Sequence, residues 1–268
     1  MDVEDQGFER LKEKIRRERG FQCQLYRDKC LRRRLLARMR ACGVRTPDEY
    51  GEVLDRTPEE YTRLLDALTI NVTKFFRNPE TWEAIRTIVL PELFRRPGPI
   101  RVWSAGSASG EEPYTFAILM LEWAHTHGRR GRVRNVTIVG TDIDRESLTR
   151  AQAAEYGEPA LAETPADVRE RWFEGGPPYR LSPLVRGLVR FERADLLTGA
   201  PPFSARLILC RNVIIYLDRE AQAKVYRGFV EALEPGGFLV LGRVETLSAD
   251  VRSELETMDP RERIFRRL

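Results

Sequence analysis

The hydrophobic pattern of this chain changes period once, near Pro99, and that change leaves few folds open. Before it, apolar residues recur at helical spacing, as Leu31, Leu35 and Met39 do within "LYRDKCLRRRLLARMRACG". After it, strand-length apolar runs alternate with helical stretches. "IRVWSAG" runs into glycine, "PYTFAILMLEWA" is helical, and "VTIVGTDID" is a buried strand ending in acids. "RESLTRAQAAEY", "RLILCRNVIIYL", "REAQAKVYRGFVEALEPGG" and "GFLVLG" continue the alternation. Strand and helix in turn predict a parallel sheet covered on both faces. The fold class is therefore α/β, preceded by a small helical domain.

The helical front is punctuated by its own signals. "FERLKEKIRRERG" stops at Gly20, and "TPDEYGEVL" and "TPEEYTRLLDALTI" open with Thr-Pro. Thr46 and Thr57 read as N-caps, with Pro47 and Pro58 at the first helical position. "NVTKFFRN" (71–78) is a loop, and "RRPGP" (95–99) breaks the helix that follows it. These signals predict a helical domain over 1–80, a linker over 81–98 and a main domain over 99–268. Residues 157–193 are irregular, rich in Pro and Gly, and read as an inserted small antiparallel sheet.

Charge and composition exclude several function classes. A net charge of +4 over 268 residues is too mild to argue for nucleic acid. Its distribution is more telling: residues 9–45 hold 14 Lys/Arg against 4 Asp/Glu, and residues 46–66 hold 2 against 7. Four cysteines without a C-x-x-C pair read as reduced thiols of a cytoplasmic protein. The first thirty residues are too charged for a signal peptide, and no apolar run reaches membrane-spanning length, so no membrane insertion is expected. The only histidines, His125 and His127, share a polar turn, and no metal site is expected.

The chemistry is concentrated in "WSAGSASGEEPYTF" (103–116), where the first strand hands over to a helix. In an open parallel sheet, ligands bind beyond the carboxyl ends of the strands. Gly106 allows a tight turn, and Gly110 would let backbone approach a ligand closely. Glu111 and Glu112 oppose a pyrophosphate at that helix start. They suit a positively charged ligand, although two acids in a first helical turn also serve the helix dipole. Asp142 ends the next strand, placed to accept hydrogen bonds from ribose hydroxyls, and Asp144 reads as the following N-cap. A nucleoside with a positively charged tail is S-adenosylmethionine.

"NVTKFFRN", "RVWSAGSASGEEPYTFAILM", "GTDID", "CRNVIIYLD" and "PGGFLVLGRVETL" resemble, in order, the motifs of the chemotaxis receptor methyltransferases, the CheR-type enzymes. The resemblance covers nearly the whole chain. It implies a helical domain followed by a Rossmann-like methyltransferase domain with an inserted small β-subdomain. It implies methyl transfer from S-adenosylmethionine, giving S-adenosylhomocysteine, to glutamate side chains on a receptor's acidic cytoplasmic helices, with the enzyme a monomer.

By resemblance, Asn71, Thr73 and Arg77 reach the cofactor, one of Glu111 and Glu112 faces its methionine end, and Asp142 holds the ribose. Asp195 and Leu196 flank the adenine, Arg211 and Asn212 line the pocket, and Tyr216 stands near the methyl group. Arg211 is also a candidate to orient the acceptor. Arg243 and Val244 stand where the family commonly has His-Ser, which alters the pocket rim. The insert at 174–190 is shorter than in family members that dock a receptor tail peptide, and no such tether is expected. The basic helix places Arg27, Arg34 and Arg38 close to one side, a candidate docking face for an acidic helix. Two rivals stand beside this reading: a methyltransferase of another substrate, nucleic acid included, and a cofactor-binding scaffold without turnover.

Overall fold

The computed structural model describes residues 3–68, 73–198 and 203–268. They group into two compact units. One comprises Met1–Asn71 with Ile215–Gln222, the other Val72–Ile214 with Ala223–Leu268.

The first unit is built from α1 (Val3–Arg19), α2 (Asp28–Ala41), α3 (Pro47–Arg56) and α4 (Pro58–Leu68). Each buries a helical stripe: Phe8, Leu11 and Ile15 from α1, Leu31, Leu35 and Met39 from α2. Thr46 caps α3 as its sequence predicts. Its hydroxyl accepts from Glu49 N at 3.2 Å, and the Glu49 carboxylate accepts from Thr46 N at 3.0 Å. The return segment Ile215–Gln222 is tied to this unit by a Tyr26–Leu217 bridge and a bond from Asp218 N to Leu25 O of 2.9 Å.

The second unit opens with α5 (Pro79–Ala84), a π-turn (Ile85–Val89) and α6 (Leu90–Arg95). The sequence reading makes 81–98 a linker. The structure corrects this: Trp82, Ile85, Val89, Leu90, Leu93 and Phe94 all lie in the hydrophobic core of the second unit. Pro91, which has no N–H to give the helix, is accommodated by widening the preceding turn, where Leu90 N reaches back to Ile85 O. The chain divides at Asn71 and Val72, ahead of the "TKFFRN" loop.

Then come β1 (Ile100–Ala105), α7 (Glu111–Thr126), β2 (Val136–Asp142), α8 (Arg145–Ala153) and β3 (Glu155–Tyr156). They are followed by α9 (Ala166–Trp172), β4 (Phe173–Glu174), β5 (Tyr179–Leu181), α10 (Pro183–Arg186) and β6 (Val189–Arg193). The chain ends with β7 (Ala205–Cys210), α11 (Arg219–Ala232), β8 (Leu233–Leu241), β9 (Leu255–Asp259) and β10 (Ile264–Arg267).

The main sheet has the order β6-β2-β1-β7-β8-β10-β9. Its first five strands are parallel, and β10 pairs antiparallel with both β8 and β9. β3, β5 and β4 form a separate three-stranded antiparallel sheet. The expected insert is therefore present, but "GLVRFERAD" does not close it. That stretch carries β6, which pairs with β2 at the main sheet's edge, because Gly140 in β2 leaves room for the Phe191 ring. No described helix is long and apolar enough to cross a membrane.

One ion pair governs the first unit's interior. Arg38 donates to both oxygens of the buried Glu60 carboxylate at 2.9 and 2.7 Å, and Tyr50 OH donates to the same carboxylate at 2.7 Å. Burial alone raises the Glu60 carboxyl, but these donors outweigh it and bring it below its ordinary value. A depressed carboxylate contributes stability that is present above its unfolded pKa and lost as pH falls through the folded one. Arg38→Met leaves a buried charge unpaired, and we expect a loss of about 3 kcal/mol in urea unfolding at pH 7. The deficit should shrink as pH falls, because the orphaned, buried Glu60 takes a proton above its ordinary value. An equal deficit at pH 7 and pH 4 would remove the pair from this role.

Candidate active site

The carboxyl ends of β1, β2 and β7 converge at the point where the sheet's strand order reverses. β1 is flanked by β2, the next strand in the chain, and by β7, which the chain reaches much later. Such a switch point leaves a crevice between the loops that leave the two central strands.

The loop after β1 is set by its glycines. Gly106 has φ 77°, and a Cβ there would lie 2.6 Å from a Val213 methyl. Gly110 has φ 93°, and a Cβ there would lie 3.0 Å from both Ala151 and Phe191. The approach that Gly110 permits is thus to the protein's own side chains rather than to a ligand. Gly106 N and Ser107 N both donate to Thr141 O, at 2.8 and 2.9 Å, which lashes the loop to the end of β2.

Asp142 lies at that end, buried. Its Oδ2 accepts from Ala108 N at 2.8 Å and its Oδ1 from Asp144 N at 3.0 Å, so it shapes both loops and keeps one lone pair on each oxygen. Burial raises its carboxyl, and the backbone donors pull it back. Asp144 caps α8 as predicted, accepting from Glu146 N and Ser147 N at 3.0 and 3.3 Å.

The two glutamates part company. Glu111 turns into the fold, where the Ser109 hydroxyl donates to its carboxylate, at 2.8 Å to the nearer oxygen, and burial pushes its carboxyl up to about 7. Glu112 faces β1 and β7. Its Oε1 accepts from Ser104 Oγ at 2.8 Å, and its Oε2 lies 3.7 Å from Arg211 Nη1. Burial raises the Glu112 carboxyl too, with Arg211, Ser104 and Arg77 acting against it.

Arg211 is buried and ties the "TKFFRN" turn to this cluster. Its Nη2 donates to Arg77 O at 2.7 Å and to Asn78 Oδ1 at 3.0 Å, and its guanidinium lies 5.2 Å from the Trp82 ring centroid. Its Nε is buried without a hydrogen-bond partner, and so are Asn212 Oδ1 and Ser107 Oγ. The turn itself holds Phe76 and Asn78 at φ 54° and 59°, with Phe76 N donating to Thr115 Oγ1 at 3.1 Å.

The other predicted site residues fall as follows. Thr73 is half-buried at the start of the same turn, and Asn71 lies outside the described residues. Asp195 accepts from Leu197 N at 2.9 Å, closing its own turn next to the end of β2, where Ala194 N bonds Asp142 O; Leu196 is half-buried beside it. Tyr216 belongs to the helical unit, where Arg27 N donates to its carbonyl at 2.9 Å and the Arg34 guanidinium lies 5.0 Å from its ring centroid.

The docking face of Arg27, Arg34 and Arg38 is not a free one. Arg38 is spent on Glu60, Arg34 is half-buried against Tyr216 and donates to Leu68 O, and Arg27 Nε donates to Leu217 O at 3.2 Å. The bases α2 leaves exposed are Lys29, Arg33 and Arg40, spaced four and seven apart on one stripe that also carries the exposed Leu36.

Sequence reasoning missed Glu245. This buried residue on the loop after β8 accepts from Gly242 N, Asn212 N, Val213 N and Ile214 N at 2.6 to 3.1 Å. The available signal was an acid directly after the last parallel strand, at the same sheet edge as the other loops.

The arrangement has a clear chemical bias. Glu111, Glu112 and Asp142 are carboxylates held out of water, with one loosely placed guanidinium beside Glu112. Such a donor set fits a ligand that brings positive charge and hydroxyls, as a sulfonium nucleoside does.

Comparison with known proteins agrees with this chemistry. Residues 71–264 match the family model "CheR methyltransferase, SAM binding domain", and residues 6–69 match "CheR methyltransferase, all-alpha domain". The chain is 34% identical over 235 residues to a chemotaxis protein methyltransferase of Listeria monocytogenes, covering 87% of each. It is 34% identical over 189 residues to chemotaxis protein methyltransferase 1 of Pseudomonas aeruginosa, covering 68% of each. Among solved structures it is similar to an S-adenosyl-L-homocysteine complex of a SAM-dependent methyltransferase from Thiobacillus denitrificans. That match has 18% identity and a TM-score of 0.32, and it covers 61% of this chain and 48% of that one.

Glu111 makes stability depend on pH in a definite direction. A carboxyl raised in the fold contributes stability that is present below its unfolded pKa and lost as pH rises through the folded value. Between about pH 4.5 and about pH 7 the free protein should lose about 3 kcal/mol from this residue. Glu111→Gln should flatten that part of the profile, read from urea midpoints at pH 5 and pH 8. An unchanged slope in the variant would mean that this carboxyl stays solvated.

Proposed function

We propose, from the premise that this chain belongs to the CheR methyltransferase family, that it methylates glutamate side chains on an acidic helical segment of a chemoreceptor, giving glutamate methyl esters. Methylation in chemotaxis and S-adenosylmethionine as cofactor come with the family. The carboxylate acceptor is our reading. The observation that carries it is the makeup of the strand ends: carboxylates and the guanidinium of Arg211, with both histidines at the far end of α7. A site without histidine suits a nucleophile that arrives already ionised, as a glutamate of ordinary pKa near about 4.3 does at neutral pH.

When bound, the cofactor supplies an electrophilic methyl group on sulfur, with a neutral thioether as leaving group. The protein's part is placement. We assign Glu112, on the β1 and β7 side, to the positively charged methionine end, and Asp142 to the ribose hydroxyls through its free lone pairs. Asn212 and the Asp195–Leu196 turn line the nucleoside, with Thr73 and Arg77 bordering it from the turn that precedes α5. Arg211 offers its unpartnered Nε–H to a carboxylate. Acceptor and enzyme then meet in the cytoplasm, and the exposed stripe of Lys29, Arg33 and Arg40 receives the acidic helix.

The acceptor chemistry is tested with tritiated cofactor and a receptor cytoplasmic fragment. Glutamate methyl esters release volatile methanol in mild alkali, whereas methylated nitrogen does not. Label that stays on the fragment after alkali would overturn the carboxylate reading.

Docking is tested separately. Reversing Lys29, Arg33 and Arg40 to Glu should raise KM for the fragment about tenfold or more at low salt, because three contacts change sign. Cofactor affinity should stay constant, and the wild-type KM should itself rise with salt, since exposed charges are screened over about 8 Å at physiological ionic strength. A KM that ignores both changes would make the stripe an ordinary solvated face.

A further inference from the structure

α7 runs sixteen residues from Glu111 to Thr126, about 24 Å at 1.5 Å per residue, so its two ends serve different places. Its carboxyl end forms one wall of a groove of about 1160 Å³ within the second unit, with the π-turn, the 3₁₀ turn Arg130–Asn135, α9 and α10 as the others. The groove's apolar surface comes from Pro91, Leu121, Val133 and Leu184, the last 59% exposed.

Two features sit on that apolar surface. The first is flat. The His127 ring stacks on Trp123 with centroids 4.1 Å apart and planes 10° from parallel, and His127 is exposed. The second is charge. Arg86 is spent on Glu83 and Arg171 on Glu122. Arg130 and Arg134 are exposed, and among the described residues neither pairs with a carboxylate. Arg130 meets instead the two ring nitrogens of His125, and the acid that lines the groove, Glu122, is paired with Arg171.

We propose that this groove is a nucleotide site: a base stacks on the exposed ring of His127, and the phosphates are held by Arg130 and Arg134. An aromatic platform tolerates any base, and guanidinium forks match phosphate oxygens. This site is separate from the nucleoside pocket at the strand ends and does not rest on the acceptor assigned above.

The full chain, saturated with S-adenosylhomocysteine so that the strand-end pocket is filled, is titrated calorimetrically with ATP, GTP, inorganic tripolyphosphate and polyglutamate. We expect a nucleotide to bind and tripolyphosphate to bind about tenfold more weakly, the difference being the stacked base. His127→Ala should bring the nucleotide down to the tripolyphosphate level and leave tripolyphosphate unchanged. Arg130→Glu with Arg134→Glu should weaken both by about tenfold or more, with methylation of the acceptor unaltered. No heat from either nucleotide up to about 1 mM would overturn the site. So would equal affinity for nucleotide and tripolyphosphate, which makes it a simple anion patch. Polyglutamate binding more tightly than either nucleotide would make the groove an acidic-peptide site and overturn it equally.

Discussion

The loop after β7, which carries part of the candidate site, is held in place by one buried carboxylate. Glu245 takes four backbone N–H groups, three of them from consecutive residues Asn212–Ile214 and the fourth from Gly242. Burial raises the Glu245 carboxyl, and the four backbone N–H groups act against that rise without cancelling it. Without that acceptor, three successive N–H groups at the end of β7 would have nowhere to go. Asn212 is held at φ 61°, a conformation a non-glycine residue keeps only when its surroundings impose it. Arg211 and Asn212 owe their positions to this clamp, and through Arg211 the "TKFFRN" turn does as well.

Much of this was legible in the sequence, because the relevant signals are local. The alternation after Pro99 gave the parallel sheet, since a buried strand reads as a continuous apolar run and an amphipathic helix does not. Thr46 and Asp144 announced their caps, and Gly106 and Asp142 announced the two loops of the switch point. The bias against a pyrophosphate was readable too, because two adjacent carboxylates at a helix start act electrostatically whatever their rotamers.

What the sequence hid depends on partners far away in the chain. Residues 81–98 looked like a linker because Pro91 and "RRPGP" are helix breakers, but a single π-turn absorbs the first of them and the flanking apolar residues fill the core. β6 looked like part of the insert because nothing in "GLVRFERAD" says that Gly140, fifty residues away, leaves space for Phe191. Arg34 and Arg38 looked like free charges because helical spacing cannot reveal that Glu60 and Tyr216 are waiting for them. Glu111 and Glu112 are indistinguishable in sequence and are separated only by the direction each takes from the first turn of α7.

That separation gives the site its asymmetry. Glu112 and Arg211 approach to 3.7 Å, too far for a hydrogen bond yet close enough for strong attraction where water is excluded. Among the described residues the arginine keeps a buried Nε–H without a hydrogen-bond partner. A cation alone would satisfy the carboxylate and repel the guanidinium, and an anion alone would do the reverse. A group carrying both charges a few ångströms apart completes both partners at once, which is the form an amino acid's ammonium and carboxylate take. On the cofactor assignment proposed above, a nucleoside that ends in an amino acid answers both groups, whereas an ordinary nucleoside answers neither.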